Sequence, residues 1–183
     1  MKKENGLMYI LRLTVTLLLI TGCVAAALAG VNLITKDKIA EIQQQKTLDA
    51  IAAVLPGVEG LEEVAITGDA GIVSGVYASG DSYAVQVLTT GFDGEIAMMV
   101  GITDGQVQGI SIISHTETPG LGAVAAAKNA KGDAFRNQFV GTSGVLAVNK
   151  DGGQIDAITS ATITSRAVTA GVNAALEYVE NLC

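Results

Sequence analysis

From Leu13 to Ile34 the chain runs for 22 residues without a charged side chain. As a helix that run is about 33 Å long, enough to cross a hydrocarbon core of about 30 Å. Lys2, Lys3 and Arg12 precede it, offset by Glu4, and Lys36 and Lys38 follow it with Asp37 between them. The excess of positive charge in front predicts an N-terminus in the cytoplasm and the rest of the chain outside. Ile20-Thr21-Gly22-Cys23 also resembles a lipoprotein cleavage box, which would leave Cys23 lipidated. The chain nevertheless stays apolar through Val24-Ala25-Ala26-Ala27-Leu28 and on to Ile34, where a lipoprotein or a cleaved signal peptide would turn polar. An uncleaved single-pass anchor is therefore the favoured reading. It divides the chain into a cytoplasmic N-terminus (1–12), the anchor (13–34), a helical stalk (35–57) and a folded domain (58–183).

The anchor accounts for a mean hydropathy of +0.45 that a purely soluble chain of 183 residues would not have. What remains is enough for one ordinary domain. The net charge of −7 lies mostly beyond the anchor and argues against a nucleic-acid partner. Cys23 and Cys183 stand far apart in depth, no C-x-x-C occurs and there is one histidine. A disulfide framework, a zinc site and an iron–sulfur cluster are all poorly supported by that inventory.

After the anchor, Ile39, Ile42, Leu48, Ile51, Ala52 and Leu55 mark an apolar side of a helix over 35–55, stopped at Pro56-Gly57. Gly-rich turns at Gly68–Gly71, Ser79–Asp81, Gly91–Gly94 and Asp104-Gly105 then separate short apolar runs. These runs predict strands over Val64–Thr67, Val73–Tyr77, Tyr83–Thr90, Glu95–Ile102 and Val107–Ser114. Turns of two to four residues between neighbours imply hairpins, hence an antiparallel meander. Helices follow over Ala123–Lys131 and over Asp133–Phe139, the latter capped by Asp133. Strands at Val145–Val148 and Ile155–Ile158 flank the turn Lys150-Asp151-Gly152-Gly153. The order of elements predicts an α+β domain.

Two stretches carry chemistry. The first is Gln154–Tyr178, a short apolar run, then five hydroxyl residues in seven (Thr159, Ser160, Thr162, Thr164, Ser165), then a helical pattern. Ala167, Ala170, Gly171, Ala174, Ala175 and Tyr178 fall on one side of that helix, with Asn173 and Glu177 turned away. A Thr/Ser cluster at a helix start is a capping signal, and the open N–H groups of a helix start also suit a phosphate. The second stretch is His115-Thr116-Glu117-Thr118-Pro119-Gly120-Leu121-Gly122, a strand-to-helix connection. Its Gly120 and Gly122 allow close approach of a flat ligand, and Leu121 can lie on a ring face.

Asp156-Ala157-Ile158-Thr159-Ser160-Ala161-Thr162 resembles the flavinylation motif D-x-x-[ST]-[GS]-A-T of FMN-binding domains. These occur in the G subunit of the Rnf ion-translocating complex and in the C subunit of the sodium-pumping NADH:quinone oxidoreductase. The commonest form has Gly where this chain has Ser160. The second stretch is similar to the H-x-E-T-P-G-L-G segment that borders the flavin in the same subunits, where Thr118 is part of the shared pattern. The resemblance implies FMN esterified to Thr162, a separate flavin transferase that uses FAD and a divalent metal, and the other subunits of a membrane complex as partners.

The residues themselves suggest how such a group is held. Thr159, Ser160 and Thr164 can offer hydroxyls to a phosphate beside Ala161 and Thr162. Asp156, which would repel phosphate, is better placed to hold the turn by accepting backbone N–H bonds, or to assist the modifying enzyme. Glu117 can bond the isoalloxazine or cap the following helix. His115 is more often a bonded structural residue than a proton relay, and Lys150 and Arg166 are more often solvated surface charges. No nucleotide-binding G-x-G-x-x-G follows a strand, so the chain is expected to relay electrons rather than oxidise a nicotinamide itself. The short anchor-plus-domain plan resembles the Rnf subunit more than the quinone-reductase subunit. A stand-alone membrane-tethered flavoprotein and a non-redox structural subunit are the other readings.

Overall fold

The computed structural model describes residues 6–66 and 70–182. Lys2, Lys3 and Glu4 before the anchor, the loop positions Thr67, Gly68 and Asp69, and Cys183 lie outside the described residues. Two compact units divide the chain, Met1–Gln45 and Lys46–Cys183.

Helix α1 covers Gly6–Val54, so the apolar run and the expected stalk are one continuous helix. Among the described residues it is the one helix long and apolar enough to cross a membrane. It ends just before Pro56-Gly57, where proline removes a helix N–H. Ile39, Ile42, Leu48 and Ala52, expected on a packed side, are exposed, and burial begins only at Ala50, Ile51, Val54 and Leu55.

The second unit is built on an antiparallel five-stranded sheet in chain order: β1 (Glu62–Val64), β2 (Val73–Ser79), β3 (Ser82–Thr90), β4 (Glu95–Thr103) and β5 (Gln106–His115). The meander and four of its strands follow the sequence pattern closely. β1 lies two residues earlier than expected and is an exposed edge. One face of the sheet packs on α3 (Thr162–Leu182), where Val85, Val87, Met98, Val100 and Ile102 meet Val168, Val172, Ala175 and Val179. Phe135 and Phe139 fill the same core edge to face, with ring centroids 5.5 Å apart. The other face carries Ala84 and Met99 against Ala50, Ile51, Val54 and Leu55 at the end of α1.

Several local expectations are corrected. No α-helix covers Ala123–Lys131. Gly122–Ala126 is a 3-10 turn, and α2 (Ala130–Asn137) starts after a break. Asn129 rather than Asp133 caps α2, its Oδ1 accepting from the backbone N–H groups of Lys131 and Gly132. Asp133 sits inside the first turn, paired with Arg136. Val145–Val148 and Ile155–Ile158 form no strands. A single parallel bridge joins Val148 to Ile155, because the side chains of Asn149, Gln138 and Ser165 take up the backbone groups beyond it. On α3, Ala170 is exposed, whereas Asn173 is half-buried and bonds both the N–H and the C=O of Leu146.

Candidate functional site

The two chemical stretches, some forty residues apart in the chain, meet at the start of α3. They enclose a cavity of about 320 Å³ lined by Phe92, Glu117, Thr118, Leu121, Gly122, Ser160, Ala161, Thr162, Ile163 and Thr164. A larger cavity of about 910 Å³ lies around the C-terminal half of α3 and the hairpin turns at Asp81 and Asp104, and holds none of the motif residues.

Local bonding explains why the helix start is open. The turn before α3 closes through Ala161 N–H to Ile158 C=O, and the first helical bond runs from Ser165 N–H to Ala161 C=O. Ser165, expected as part of a capping cluster, instead accepts from Ile158 N–H and donates to Ala161 C=O. Among the described residues no hydroxyl caps the helix. Among the described residues no acceptor meets the backbone N–H groups of Thr162, Ile163 and Thr164, all three of which line the cavity. Unmet N–H groups at the positive end of a 21-residue helix suit a phosphate.

The hydroxyls differ sharply. Thr162 is half-buried at the first helical position, and its hydroxyl has no bond among the described residues. Thr164 is 1% exposed and donates to Glu117 Oε2 at 2.5 Å, so its hydroxyl is committed inside the fold. Thr159 is exposed and away from the cavity, and Ser160 reaches it with a left-handed backbone at φ 63°.

Glu117 is 4% exposed. Its Oε1 accepts from the backbone N–H groups of Phe92 (2.8 Å) and Asp93 (3.2 Å), so it joins the β3–β4 turn to α3. A Cβ on Gly122 would lie 2.0 Å from Glu117 Oε2, and one on Gly91 would lie 2.1 Å from Oε1. The Gly122 of the loop thus makes room for the carboxylate and for Thr164. Gly120, at φ 79°, turns the loop, and Leu121 stands 43% exposed on the cavity wall.

Four expected site residues lie off the cavity: Asp156, Thr159, His115 and Gly120. Asp156 accepts from the Asn149 side-chain amide, and its backbone bonds Gln138 in both directions. It holds the turn, though through side chains rather than backbone donors. His115 ends β5 opposite Ile96, with Nδ1 buried and without a hydrogen-bond partner among the described residues. Arg166 forms a two-point ion pair with Asp151, and that hydrogen bond holds the Asp151 carboxyl below its ordinary pKa. Neither Arg166 nor Lys150 lines the cavity.

Sequence reasoning missed Phe92 and Ile163. Phe92 belongs to a stretch read only as a turn, yet it is 69% exposed in a chain with three phenylalanines and no tryptophan. An aromatic ring at the tip of a Gly-rich turn is the signal by which it could have been found.

Known proteins resemble this chain in sequence and in fold. Residues 91–177 match the model of an FMN-binding domain, and residues 1–54 match that of the RnfG N-terminal region. The chain is 32% identical to the G subunit of the Na+-translocating ferredoxin:NAD+ oxidoreductase complex of Acetobacterium woodii, over 94% of this chain and 93% of that one. It is 31% identical to the G subunit of the ion-translocating oxidoreductase complex of Methanosarcina acetivorans, over 93% and 94%. The C subunit of the Na+-translocating NADH-quinone reductase of Parabacteroides distasonis shares the fold, with a TM-score of 0.53 at 19% identity over 80% of this chain and 96% of that one.

Proposed function

The chain belongs to the G-subunit family of ion-translocating ferredoxin:NAD+ oxidoreductase (Rnf) complexes, and on that premise we propose that it relays electrons within such a complex through an FMN esterified to Thr162. The other members of the complex are its partners. The α1 segment anchors it to the membrane, with the N-terminus in the cytoplasm and the FMN-binding domain outside.

The observation that carries the covalent reading is the contrast between two neighbouring hydroxyls. Among the described residues the Thr162 hydroxyl has no bond and lines a cavity with three open N–H groups, whereas Thr164 is buried against Glu117. The residues present fit the group: N–H donors for a phosphate, and the apolar side chains of Phe92, Leu121 and Ile163 for a ring. When bound, FMN supplies reversible acceptance of electrons, and the chain supplies position and environment.

Attachment balances as a phosphoryl transfer. The Thr162 Oγ–P bond forms at the FMN phosphorus of FAD, the diphosphate P–O bond breaks, AMP leaves, and the hydroxyl proton passes to a base of the transferase. No side chain on the cavity wall other than Glu117 could take that proton, and Glu117 is already bonded to Thr164 and the Phe92–Asp93 backbone. An external flavin transferase is therefore part of the proposal.

The test is intact mass and flavin fluorescence in a denaturing gel, for the wild type and Thr162→Ala co-expressed with a flavin transferase. We expect a fluorescent wild-type band heavier by FMN less one water, and neither signal in the variant. An adduct retained in Thr162→Ala would move the acceptor to another hydroxyl. No adduct on the wild type, with the transferase active on a second substrate, would overturn the covalent reading.

A further inference from the structure

We propose that the Glu117 carboxylate is a fixed negative charge in the cavity wall that lowers the reduction potential of the flavin held there. The inference rests on the reading that the ring occupies this cavity.

Three observations carry it. Glu117 is buried, yet it lines the cavity. Every group bonded to it is a dipole, namely the N–H groups of Phe92 and Asp93 and the Thr164 hydroxyl. Among the described residues no lysine, arginine or histidine forms an ion pair with it. Dipoles solvate a charge without cancelling it, so its field persists in the low-dielectric surroundings. The space is also purpose-made, since neither Gly91 nor Gly122 has room for a Cβ beside the carboxylate.

Two-electron reduction of a flavin with uptake of one proton leaves the ring with one more negative charge than before. A like charge in the wall opposes that step, and the opposition is stronger in a buried site than in water. Glu117 also ties the β3–β4 turn to α3, which is a structural task in its own right. Glutamine separates the two contributions. Its Oε1 can accept from Phe92 and Asp93 and its Nε2 can donate to the Thr164 hydroxyl, so the links survive while the charge is lost. Glu117 is thus a positioning residue whose charge, beyond its bonds, acts on the cofactor.

The experiment is a spectroelectrochemical titration of the full-length FMN-loaded chain in detergent, for wild type, Glu117→Gln and Glu177→Gln. Glu177 lies about 22 Å along α3 from Thr162, well beyond a screening length of about 8 Å. We expect a higher midpoint potential in Glu117→Gln and none of that shift in Glu177→Gln. An unchanged midpoint in a loaded Glu117→Gln protein, or the same shift in both variants, overturns the proposal. Iodide quenching of flavin fluorescence separates the two levels of inference. A ring shielded in the wild type with no shift in Glu117→Gln defeats the charge assignment and leaves the cavity reading standing. A fully quenchable ring defeats the cavity reading and this proposal with it. Should Glu117→Gln not fold, the reduced-minus-oxidised infrared spectrum of wild type carrying 13C-glutamate decides. A carboxylate band displaced on reduction supports the proposal, and a flat carboxylate region overturns it.

Discussion

Ser160 holds a backbone conformation, φ 63°, that an L side chain adopts at a cost and that glycine adopts freely. The position is the one at which the flavinylation motif commonly carries glycine, and the geometry gives the reason: the chain must reverse its twist there to open α3. Ser160→Gly should therefore stabilise the domain by up to about 1 kcal/mol, since relief of strain outweighs the added freedom of the unfolded chain. A thermal melt of the flavin-free protein checks it, and a lower melting temperature would contradict the strain argument. The residue scale also separates Thr162 from Thr164. The motif ends on Thr162, and burial with the bond to Glu117 gives the physical reason why Thr164 cannot take its place.

At the scale of elements, the last turn of α1 sits on a row of small residues crossing the sheet. Ala84, Gly101 and Gly109 are register neighbours on β3, β4 and β5. A Cβ on Gly101 would come within 2.6 Å of the Val54 carbonyl oxygen, and one on Gly109 within 3.3 Å of Val54 Cα. Backbone, unlike the tip of a flexible side chain, cannot step aside. Gly101→Ala should lift the end of α1 and cost about 1–3 kcal/mol, read as a lower midpoint in urea. Stability equal to wild type would mean that this contact is not close in solution. The strands themselves were legible because alternation and two-residue turns have few alternatives in a half-buried sheet. The region between β5 and α3 was not. Several of its backbone groups are satisfied by the side chains of Asn149, Gln138, Asn173 and Ser165, 7 to 27 positions away, and no local period records such bonds.

For the whole molecule, the chain divides between Gln45 and Lys46 into two compact units. The buried cluster of Ala50, Ile51, Val54 and Leu55 belongs to the domain, although it lies on the same helix as the membrane run. A chain starting at Lys46 should therefore be soluble without detergent, keep the melting temperature of the full chain in detergent within a few degrees and still accept flavin at Thr162. A chain starting at Val58 should lose that cluster and be markedly less stable. Equal stability of the two truncations, measured by melting, would show that the end of α1 contributes nothing to the domain.

The sequence by itself determined the long apolar run, the order and pairing of the meander strands, and the two stretches that carry the chemistry. Each rests on a local regularity: a charge-free run matched to a membrane, a two-residue alternation, or a short motif. Only the tertiary structure decided which hydroxyl stands free, why Gly91 and Gly122 must be small, and that Phe92 belongs to the cavity. Those depend on one buried carboxylate meeting two backbone N–H groups and a threonine hydroxyl that lie 24 to 47 residues from it in the chain. That convergence is a property of packing and leaves no periodic trace along the chain.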